Sequence, residues 1–151
     1  MNNTNKSCYD SLKLENQLCF PLYACSKEIQ RMYRPFLDPL NLTYTQYITM
    51  MVLWEHEEIN VTDLGSYLYL DSATLTPVLK KLESYGYVER QRDQNDQRIV
   101  IITLTKRGRE LKNKAVKVPE SMTRCLPFDA EDAKQLYILL NKLLSNIKKN
   151  A

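Results

Sequence analysis

The sequence predicts a mainly α-helical fold with one small β-hairpin. Apolar residues recur every three or four positions along most of the 151-residue chain, as in amphipathic helices. Only three glycines are present and no internal repeat occurs, so the connections between helices are expected to be short. The exception is Arg98 to Leu104, a stretch rich in β-branched residues that follows a turn-forming run and predicts a strand.

Composition and charge limit the class of protein. Hydrophobic residues make up 44% of the chain, enough for a core, and charged residues make up 26%. No apolar run is long enough to span a membrane and the first ten residues are polar, so we expect a cytoplasmic protein without membrane contact. Residues 41–79 contain five acidic and no basic residues, whereas residues 80–112 contain nine basic and five acidic ones. The second segment is therefore expected to face a polyanion.

The cysteine pattern argues against a disulfide framework. The four cysteines are Cys8, Cys19, Cys25 and Cys125, and no C-x-x-C pair occurs. A reducing cytosol would also keep structural thiols reduced. His56 is the one histidine, so we expect neither a metal site nor a cofactor.

Two helices are predicted before the basic segment. Leu14 to Arg34 has an apolar residue at every third or fourth position. Pro21 lies either in the first turn of this helix or at a kink, and Pro35 and Pro39 are expected to end it. The second helix runs from Thr43, a plausible N-cap, to Glu57. Its expected apolar stripe is Tyr47, Met50, Met51 and Trp54.

The next stretch predicts a helix-turn-helix. Val61, Leu64 and Leu68 are spaced i, i+3, i+7, as in a short helix, and Tyr69 and Leu70 form the turn. Asp71 or Ser72 then caps a second helix that Gly86 ends. The buried stripe of this second helix is expected to be Leu75, Val78, Leu79 and Leu82.

A hairpin follows and makes the motif a winged one over residues 41–105. Tyr87 to Arg90 is the first predicted strand, Asp93 to Asp96 the turn and Arg98 to Leu104 the second strand. Thr105 caps another helix, which should reach about Val118 and break near Pro119 and Pro127. The stripe of the last helix is Leu136, Leu140, Leu143 and Ile147.

The terminal regions, residues 14–40 and 106–151, are expected to be dimerisation helices. The apolar stripes of these helices have more surface than a small winged domain can cover. They pack either on their own domain or on a second copy, and we favour a homodimer because two-fold DNA readers need paired half-sites.

The outward residues of the second motif helix suit contact with double-stranded DNA. Hydroxyl groups and lysines bond base edges and phosphates, and no acidic residue lies between Ser72 and Leu82. An arginine at the tip of the hairpin suits a minor groove, and Asp96 is placed to fix one arginine by a salt bridge. The alternative for both groups is a solvated surface. The candidate DNA-binding residues are Ser72, Thr74, Thr76, Pro77, Lys80, Lys81, Arg90, Arg92, Asp96 and Arg98.

Several of these residues carry a family resemblance. The runs Leu70-Asp71-Ser72-Ala73-Thr74-Leu75-Thr76-Pro77, Leu79-Lys80-Lys81-Leu82-Glu83 and Asp96-Gln97-Arg98, followed by Leu104-Thr105, resemble the MarR family of winged-helix regulators. Together with Asn16-Gln17-Leu18-Cys19-Phe20 and Leu22-Tyr23-Ala24, they resemble its OhrR-type branch, which senses organic peroxides.

The resemblance implies that Cys19 is a peroxide-reactive thiol. It also implies that Tyr23 and Tyr33 occupy the positions of two tyrosines whose hydroxyls donate hydrogen bonds to the thiolate. Cys125 lies in the region where some members have a resolving cysteine, which forms a disulfide with the reactive cysteine of the other subunit. The sulfenic acid formed would condense with a second thiol, protein or low-molecular-weight, or oxidise further. From composition alone Cys19 would be a small buried hydrophobe. Cys8 is expected in a mobile tail and Cys25 in the core.

The predicted function is thus a repressor released from a pseudo-palindromic operator when organic hydroperoxide oxidises Cys19. One alternative is a repressor of the same fold that responds to a small phenolic or lipophilic ligand. A thiol peroxidase enzyme is a second alternative, but no catalytic base or arginine lies near Cys19 in sequence. A partner-binding protein without DNA contact is a third, against which the cation-rich wing argues.

Overall fold

The computed structural model describes residues 9–127 and 129–150 and has a helical body with one small sheet. Short 3-10 turns occur at Asp10–Leu12, Leu14–Asn16 and Asp38–Leu40. The helices and strands are α1 (Cys19–Leu37), α2 (Tyr44–His56), β1 (Glu58–Asn60), α3 (Val61–Leu68), α4 (Ser72–Ser84), β2 (Val88–Arg92), β3 (Val100–Leu104), α5 (Lys106–Ala115), α6 (Lys117–Cys125) and α7 (Ala130–Asn150). This arrangement confirms the predicted mainly helical fold with a β wing.

Helix α1 begins later and ends later than the sequence predicts. Residues 14–16 form a 3-10 turn, and the α-helix starts at Cys19. Pro21 lies in its first turn, where a backbone N–H has no intrahelical partner, so Pro21 causes no kink. The expectation that Pro35 ends the helix is wrong. Pro35 forfeits a single hydrogen bond close to the C-terminus, and the helix continues to Leu37.

Helix α2 starts at a complete capping box. The Thr43 hydroxyl accepts the Gln46 N–H at 3.4 Å, and the Thr43 N–H donates to the Gln46 side-chain oxygen at 2.9 Å. Tyr47, Met50 and Trp54 are buried as predicted. Met51 is instead 46% exposed, because the buried face of α2 also includes Thr49 and Leu53 and leaves Met51 outside.

The helix-turn-helix consists of α3 and α4, and Gly65 allows its tight turn. A Cβ atom on Gly65 would lie 2.5 Å from the Leu70 carbonyl oxygen, and the Leu70 N–H donates to the Gly65 carbonyl at 3.0 Å. Asp71, rather than Ser72, caps α4, because its carboxylate accepts the Thr74 N–H at 2.6 Å. Gly86, with φ of 71°, ends the helix in the left-handed conformation that glycine adopts readily.

The sheet has the strand order β1-β3-β2, and both pairings are antiparallel. Strands β2 and β3 form the predicted hairpin, with Val88 opposite Leu104 and Arg92 opposite Val100. Strand β1 was not predicted from the sequence. It is three residues long and includes Glu58 and Asn60, which is too short and too polar to give a periodic signal.

The core lies between α2, α3, α4 and the sheet. Its fully buried side chains are predominantly apolar: Leu37, Met50, Leu53, Leu64, Leu75, Leu79, Leu82, Val88 and Ile102 are among them. The indole N–H of Trp54 donates to the Gly108 carbonyl at 2.9 Å and fixes α5 on α2. Helix α4 is held in this core by the buried side chains of Leu75, Leu79 and Leu82.

The terminal helices are only partly covered by their own chain. The expected break near Pro119 falls at Val116, and Pro119 lies in the first turn of α6, which packs against α1. The lysine ammonium of Lys148, near the end of α7, lies 4.4 Å from the centre of the Tyr69 ring in the turn between α3 and α4. The predicted stripe of α7 remains 36–56% exposed: Leu136, Leu140, Leu143 and Ile147. No helix in the described part of the chain has the length and apolarity needed to cross a membrane.

Candidate DNA interface and redox site

Helix α4 presents one polar face to solvent. Leu75, Leu79 and Leu82 point inward and are fully or almost fully buried. Because these residues recur every three or four positions, the side chains between them point outward. All the predicted DNA-binding residues of α4 are exposed: Ser72, Thr74, Thr76, Pro77, Lys80 and Lys81.

The polar groups at the start of α4 are ordered by the helix itself. The Asp71 carboxylate caps the helix, and the hydrogen bonds that it accepts, first of all from the Thr74 backbone N–H, lower its pKa. The Thr76 hydroxyl donates to the Ser72 carbonyl at 2.6 Å. Pro77 lies inside α4 without interrupting it. Further along, the Lys81 ammonium lies 4.8 Å from the centre of the Tyr85 ring.

The tip of the wing is fixed by two carboxylates. Asp93 accepts the backbone N–H groups of Asn95 and Asp96 at 2.8 and 2.9 Å. Asp96 accepts two hydrogen bonds from the Arg98 guanidinium, both at 3.0 Å. These bonds lower the pKa of Asp96 and raise the pKa of Arg98, so both groups stay charged. The Arg98 side chain remains 90% exposed, so it is fixed at its acidic partner but open to an anion.

The other two wing arginines have partners within the protein. Arg90 donates to one carboxylate oxygen of Glu83 from Nε at 2.8 Å and from Nη2 at 2.7 Å, which joins β2 to α4. Arg92 donates to the Gln97 carbonyl across the hairpin. Arg90 therefore positions the wing relative to α4, and Arg92 fixes the hairpin itself.

A cleft of about 250 Å³ brings part of the predicted DNA-binding set together. Ser72 and Thr76 of α4 and Arg90 and Arg98 of the wing lie on its walls. The start of α3 contributes a wall that the sequence reasoning missed, because Asn60 and Thr62 form part of a helix-start pattern and carry no charge. The residues of this wall are Asn60, Val61 and Thr62.

Cys19 is the first residue of α1 and is exposed. Tyr23 lies one turn further along the same helix and is also exposed, with the Lys27 ammonium 5.4 Å from the centre of its ring. Cys25 is exposed too, so the expectation that it belongs to the core is wrong. Six residues of helix separate Cys19 from Cys25 by about 9 Å along the axis, too far for a disulfide within one α1 helix.

Tyr33 does not lie beside Cys19 of the same chain. Fourteen helical residues place them about 21 Å apart along α1. The Tyr33 ring packs instead on Tyr44 and Tyr47, with ring centres 4.9 and 5.9 Å away. Burial raises the pKa of Tyr33, so its hydroxyl keeps its proton and can donate a hydrogen bond.

Cys125 is the last residue of α6 and is exposed, whereas Cys8 lies outside the described residues. Within the described ranges, no group of histidine, cysteine and acidic side chains is arranged to hold a metal ion.

Two apolar openings lie near these elements. A cleft of about 440 Å³, the α1–α7 cleft, lies between one side of α1 and the helix α7. Its lining residues are Leu18, Pro21, Leu22, Cys25, Ser26, Ile29, Gln30, Tyr44, Leu136 and Leu140. A groove of about 570 Å³ lies between α2 and the α5–α6 region. Its lining includes Tyr47, Met51, Trp54, Val116 and Pro119.

Comparisons with known proteins agree with this geometry. Residues 31–115 match the family model described as transcriptional regulator SarA/Rot. The organic hydroperoxide resistance transcriptional regulator of Bacillus subtilis (strain 168) is 48% identical over 92% of this chain and 95% of its own. The structure of reduced AbfR bound to DNA is similar with a TM-score of 0.79 and 34% identity, over 93% of this chain and 96% of that one. A disulfide-formed AbfR structure matches with a TM-score of 0.64 and 36% identity, over 91% of this chain and 94% of that one; AbfR is a protein of Staphylococcus epidermidis.

Proposed function

Because the chain belongs to the SarA/Rot family of transcriptional regulators, with an organic hydroperoxide resistance regulator among its relatives, we propose that it is a homodimeric repressor that leaves its operator when Cys19 is oxidised. The observation that carries the DNA-binding part is the exposed polar face of α4 from Ser72 to Lys81, which has no acidic residue, together with the exposed Arg98 guanidinium. Hydroxyl groups and lysines on α4 suit the major groove, and Arg98 suits a narrow minor groove. The relative crystallised with DNA supports this assignment.

The uncovered terminal helices support a homodimer. Besides its apolar stripe, α7 exposes Tyr137, Ile138 and Leu139 by 70%, 54% and 63%. An apolar surface of this kind is typical of a protein interface. A two-fold dimer would present two α4 helices to half-sites about one helical turn of DNA apart, which requires a pseudo-palindromic operator.

A dimer also accounts for the position of Tyr33, far from Cys19 of its own chain. Within one chain, the backbone positions of Tyr33 and Cys19 are about 21 Å apart along α1, so a second copy is needed to bring Tyr33 to the thiol. We place Tyr33 of one protomer beside Cys19 of the other, and Tyr23 one turn from Cys19 in the same chain. Their hydroxyls would donate to the thiolate and to the oxygen that it gains.

The reaction is a two-electron oxidation of Cys19 by an organic hydroperoxide. The thiolate sulfur attacks the terminal oxygen of the O–O–H group, a sulfur–oxygen bond forms and the oxygen–oxygen bond breaks. The alkoxide leaving group takes a proton and departs as an alcohol, and Cys19 becomes a sulfenic acid. The sulfenic acid then condenses with Cys125 of the second subunit or with a low-molecular-weight thiol, releasing water, or it oxidises further.

Oxidation would reach the DNA interface through the packing of α1. Helix α1 packs on α6 and α2, and α2 packs on α4 through the core. A change at the start of α1 would shift the dimer-forming helices and change the spacing of the two α4 helices. We therefore propose that the protein is a sensor, in which each Cys19 thiol reacts with one hydroperoxide molecule. A thiol peroxidase enzyme would instead turn over repeatedly.

A second candidate function keeps the repressor but replaces the signal by a small phenolic or lipophilic ligand. The observation that favours it is the apolar groove between α2 and the α5–α6 region, about 570 Å³ in volume and lined by Tyr47 and Trp54.

DNA binding by fluorescence anisotropy, with the promoter beside the protein's own gene, tests the proposal. Reduced wild type and Cys19→Ser are titrated at fixed salt with and without cumene hydroperoxide, because phosphate contacts make the affinity salt-dependent. We expect the oxidant to release wild type and to leave Cys19→Ser bound. If both proteins are released, or neither, Cys19 is not the sensor and the ligand-responsive function replaces it. A non-reducing gel of the oxidised protein then shows whether Cys125 is linked to Cys19.

A further inference from the structure

A polar pocket of about 520 Å³ lies between the end of α2, strand β1 and helix α3, and we call it the α2–α3 pocket. Its volume is in the range typical of small-molecule sites. No lysine or arginine is among the described residues that line it. Its polar lining residues are His56, Glu58, Asn60, Asp63, Ser66 and Tyr67.

The two carboxylates of this pocket have neutral partners only. One Glu58 oxygen accepts the Thr103 hydroxyl at 3.1 Å, and one Asp63 oxygen accepts the Asn60 amide at 2.7 Å. None of the ion pairs in the described part of the chain includes Glu58 or Asp63. These hydrogen bonds hold the carboxylates in place without neutralising them, so the pocket attracts a cation from outside the chain.

An aromatic wall lies beside the carboxylates. The rings of His56 and Tyr67 are 4.8 Å apart between centres. The face of a tyrosine ring attracts a cation and also packs on apolar groups. Nε2 of His56 is buried and has no hydrogen-bond partner among the described residues. In the tautomer with the proton on Nδ1, this nitrogen accepts a hydrogen bond, so an N–H group of a ligand would satisfy it.

The geometry of the pocket favours an organic cation over a metal ion. Within the described residues, no histidine and acidic side chains converge closely enough to coordinate a metal. Ile59 and Ile101 complete the lining with apolar surface that a hydrated metal ion would leave unused. A molecule with a positive nitrogen on an apolar or aromatic group would use the carboxylates and the apolar walls together.

We propose that the α2–α3 pocket binds a small organic cation, whose protonated amine pairs with Glu58 and Asp63 and whose apolar or aromatic group packs on Tyr67. The two carboxylates are exposed to solvent, so each ion pair is screened and the affinity is modest. The inference goes beyond the proposed function and does not depend on it, because Cys19 lies on α1, outside this pocket.

The imidazole signals of His56, the one histidine of the chain, report on this pocket in a proton NMR titration. The full-length reduced protein is titrated with benzylamine, which is protonated at neutral pH, at constant pH and ionic strength. Benzyl alcohol and benzoate, the neutral and the anionic analogues of similar size, are the matched control ligands. We expect benzylamine to shift the His56 signals in a saturable way, with a Kd of about 1 mM, and the two analogues to leave them unchanged.

Two substitutions test the carboxylates while keeping an oxygen that accepts the same hydrogen bond. We expect Glu58→Gln and Asp63→Asn each to raise the Kd for benzylamine about threefold to fivefold, and the double variant to raise it about tenfold or more. Glu110→Gln removes the same charge from an exposed position of α5, outside the pocket, and should leave the Kd unchanged. Cys19→Ser should also bind benzylamine like wild type, so a failure of the proposed redox switch leaves this test intact.

Three outcomes overturn the inference. If the double variant binds benzylamine as tightly as wild type, Glu58 and Asp63 do not form the site. If benzyl alcohol shifts the His56 signals as strongly as benzylamine, the pocket does not select a cation. If magnesium chloride at equal ionic strength gives the same shift, the carboxylates attract any cation and the pocket is not a site for an organic ligand.

Discussion

Tyr33 is the residue through which the proposed redox site depends on a second copy of the chain. Its ring packs on Tyr44 and Tyr47, so removal of the hydroxyl alone leaves this packing in place. A charge-assisted hydrogen bond contributes about 1.5–3 kcal/mol. We therefore expect Tyr33→Phe to slow the oxidation of Cys19 about tenfold or more, and to leave the DNA affinity of the reduced protein unchanged.

The measurement is the rate of sulfenic acid formation with cumene hydroperoxide. Tyr44→Phe is the matched control, since it removes a hydroxyl from the same aromatic cluster. Equal rates in wild type and Tyr33→Phe would contradict the placement of Tyr33 at the thiol of the other protomer.

Arg98 is a highly exposed cation of the wing. Its guanidinium is 90% exposed while Asp96 fixes its position. We expect Arg98→Gln to weaken operator binding and to lower the slope of log affinity against log salt by about one, because one phosphate contact is lost. Titrations at three salt concentrations measure the slope. Arg124→Gln on α6 serves as the control, and an unchanged slope in Arg98→Gln would exclude a phosphate contact by Arg98.

At the scale of single residues, the sequence predicts which side chains are buried or exposed better than it predicts which side chains contact each other. The apolar spacing of α4 correctly predicts that Leu75 is buried and Lys80 exposed. It does not predict that Arg90 pairs with Glu83, because that contact depends on how the strand crosses the helix. Cys25 is misassigned for a related reason: the stripe that contains it faces the α1–α7 cleft instead of the core.

Among the elements, the helix-turn-helix depends on close contact at Gly65. A Cβ atom at this position would lie 2.5 Å from the Leu70 carbonyl oxygen, so the turn must open. We expect Gly65→Ala to lower the free energy of unfolding by about 1–3 kcal/mol, a typical cost of overpacking, and to weaken DNA binding. Urea denaturation measures the change. Ser66→Ala, at the next and exposed position, should stay within about 0.5 kcal/mol of wild type, and a similar value for Gly65→Ala would show that the turn adapts.

Helices and hairpin are predictable from the sequence because each has a local signal. Thr43 with Gln46, Asp71 at the start of α4 and Gly86 at its end are all such signals. Strand β1 has none, because its pairing with β3 is a long-range contact. The end of α1 is missed since a proline near a helix C-terminus removes only one hydrogen bond.

For the whole molecule, the exposed apolar surface of α7 predicts association. We expect Leu139→Glu to convert a dimer into a monomer, because a carboxylate would be buried in the interface. Operator affinity should fall at least tenfold, since two linked reading helices bind more tightly than one. Light scattering and anisotropy measure the two effects. Asn141→Glu adds the same charge at a polar position of α7, and a Leu139→Glu protein that stays dimeric would place the interface elsewhere.

The DNA-binding half of the candidate site is largely predictable from the sequence, because its residues are close along the chain between Ser72 and Arg98. The redox half is less so. The family resemblance supplies Cys19 and Tyr33, but only the length of α1 shows that they cannot meet within one chain. The α1–α7 cleft is not predictable at all, since its two walls are more than a hundred residues apart in sequence.

The contact between Lys148 and Tyr69 lets a rigid movement of α7 reach the helix-turn-helix. Leu136 forms part of the α1–α7 cleft, and Lys148, twelve residues later, lies over the Tyr69 ring in the turn between α3 and α4. These points are about 18 Å apart along a stiff rod. If one end pivots by 10°, the other moves by about 3 Å, which is enough to take a side chain off a base edge. A molecule that wedges α7 away from α1 would therefore act on the DNA-reading turn directly, without any change in the core between them.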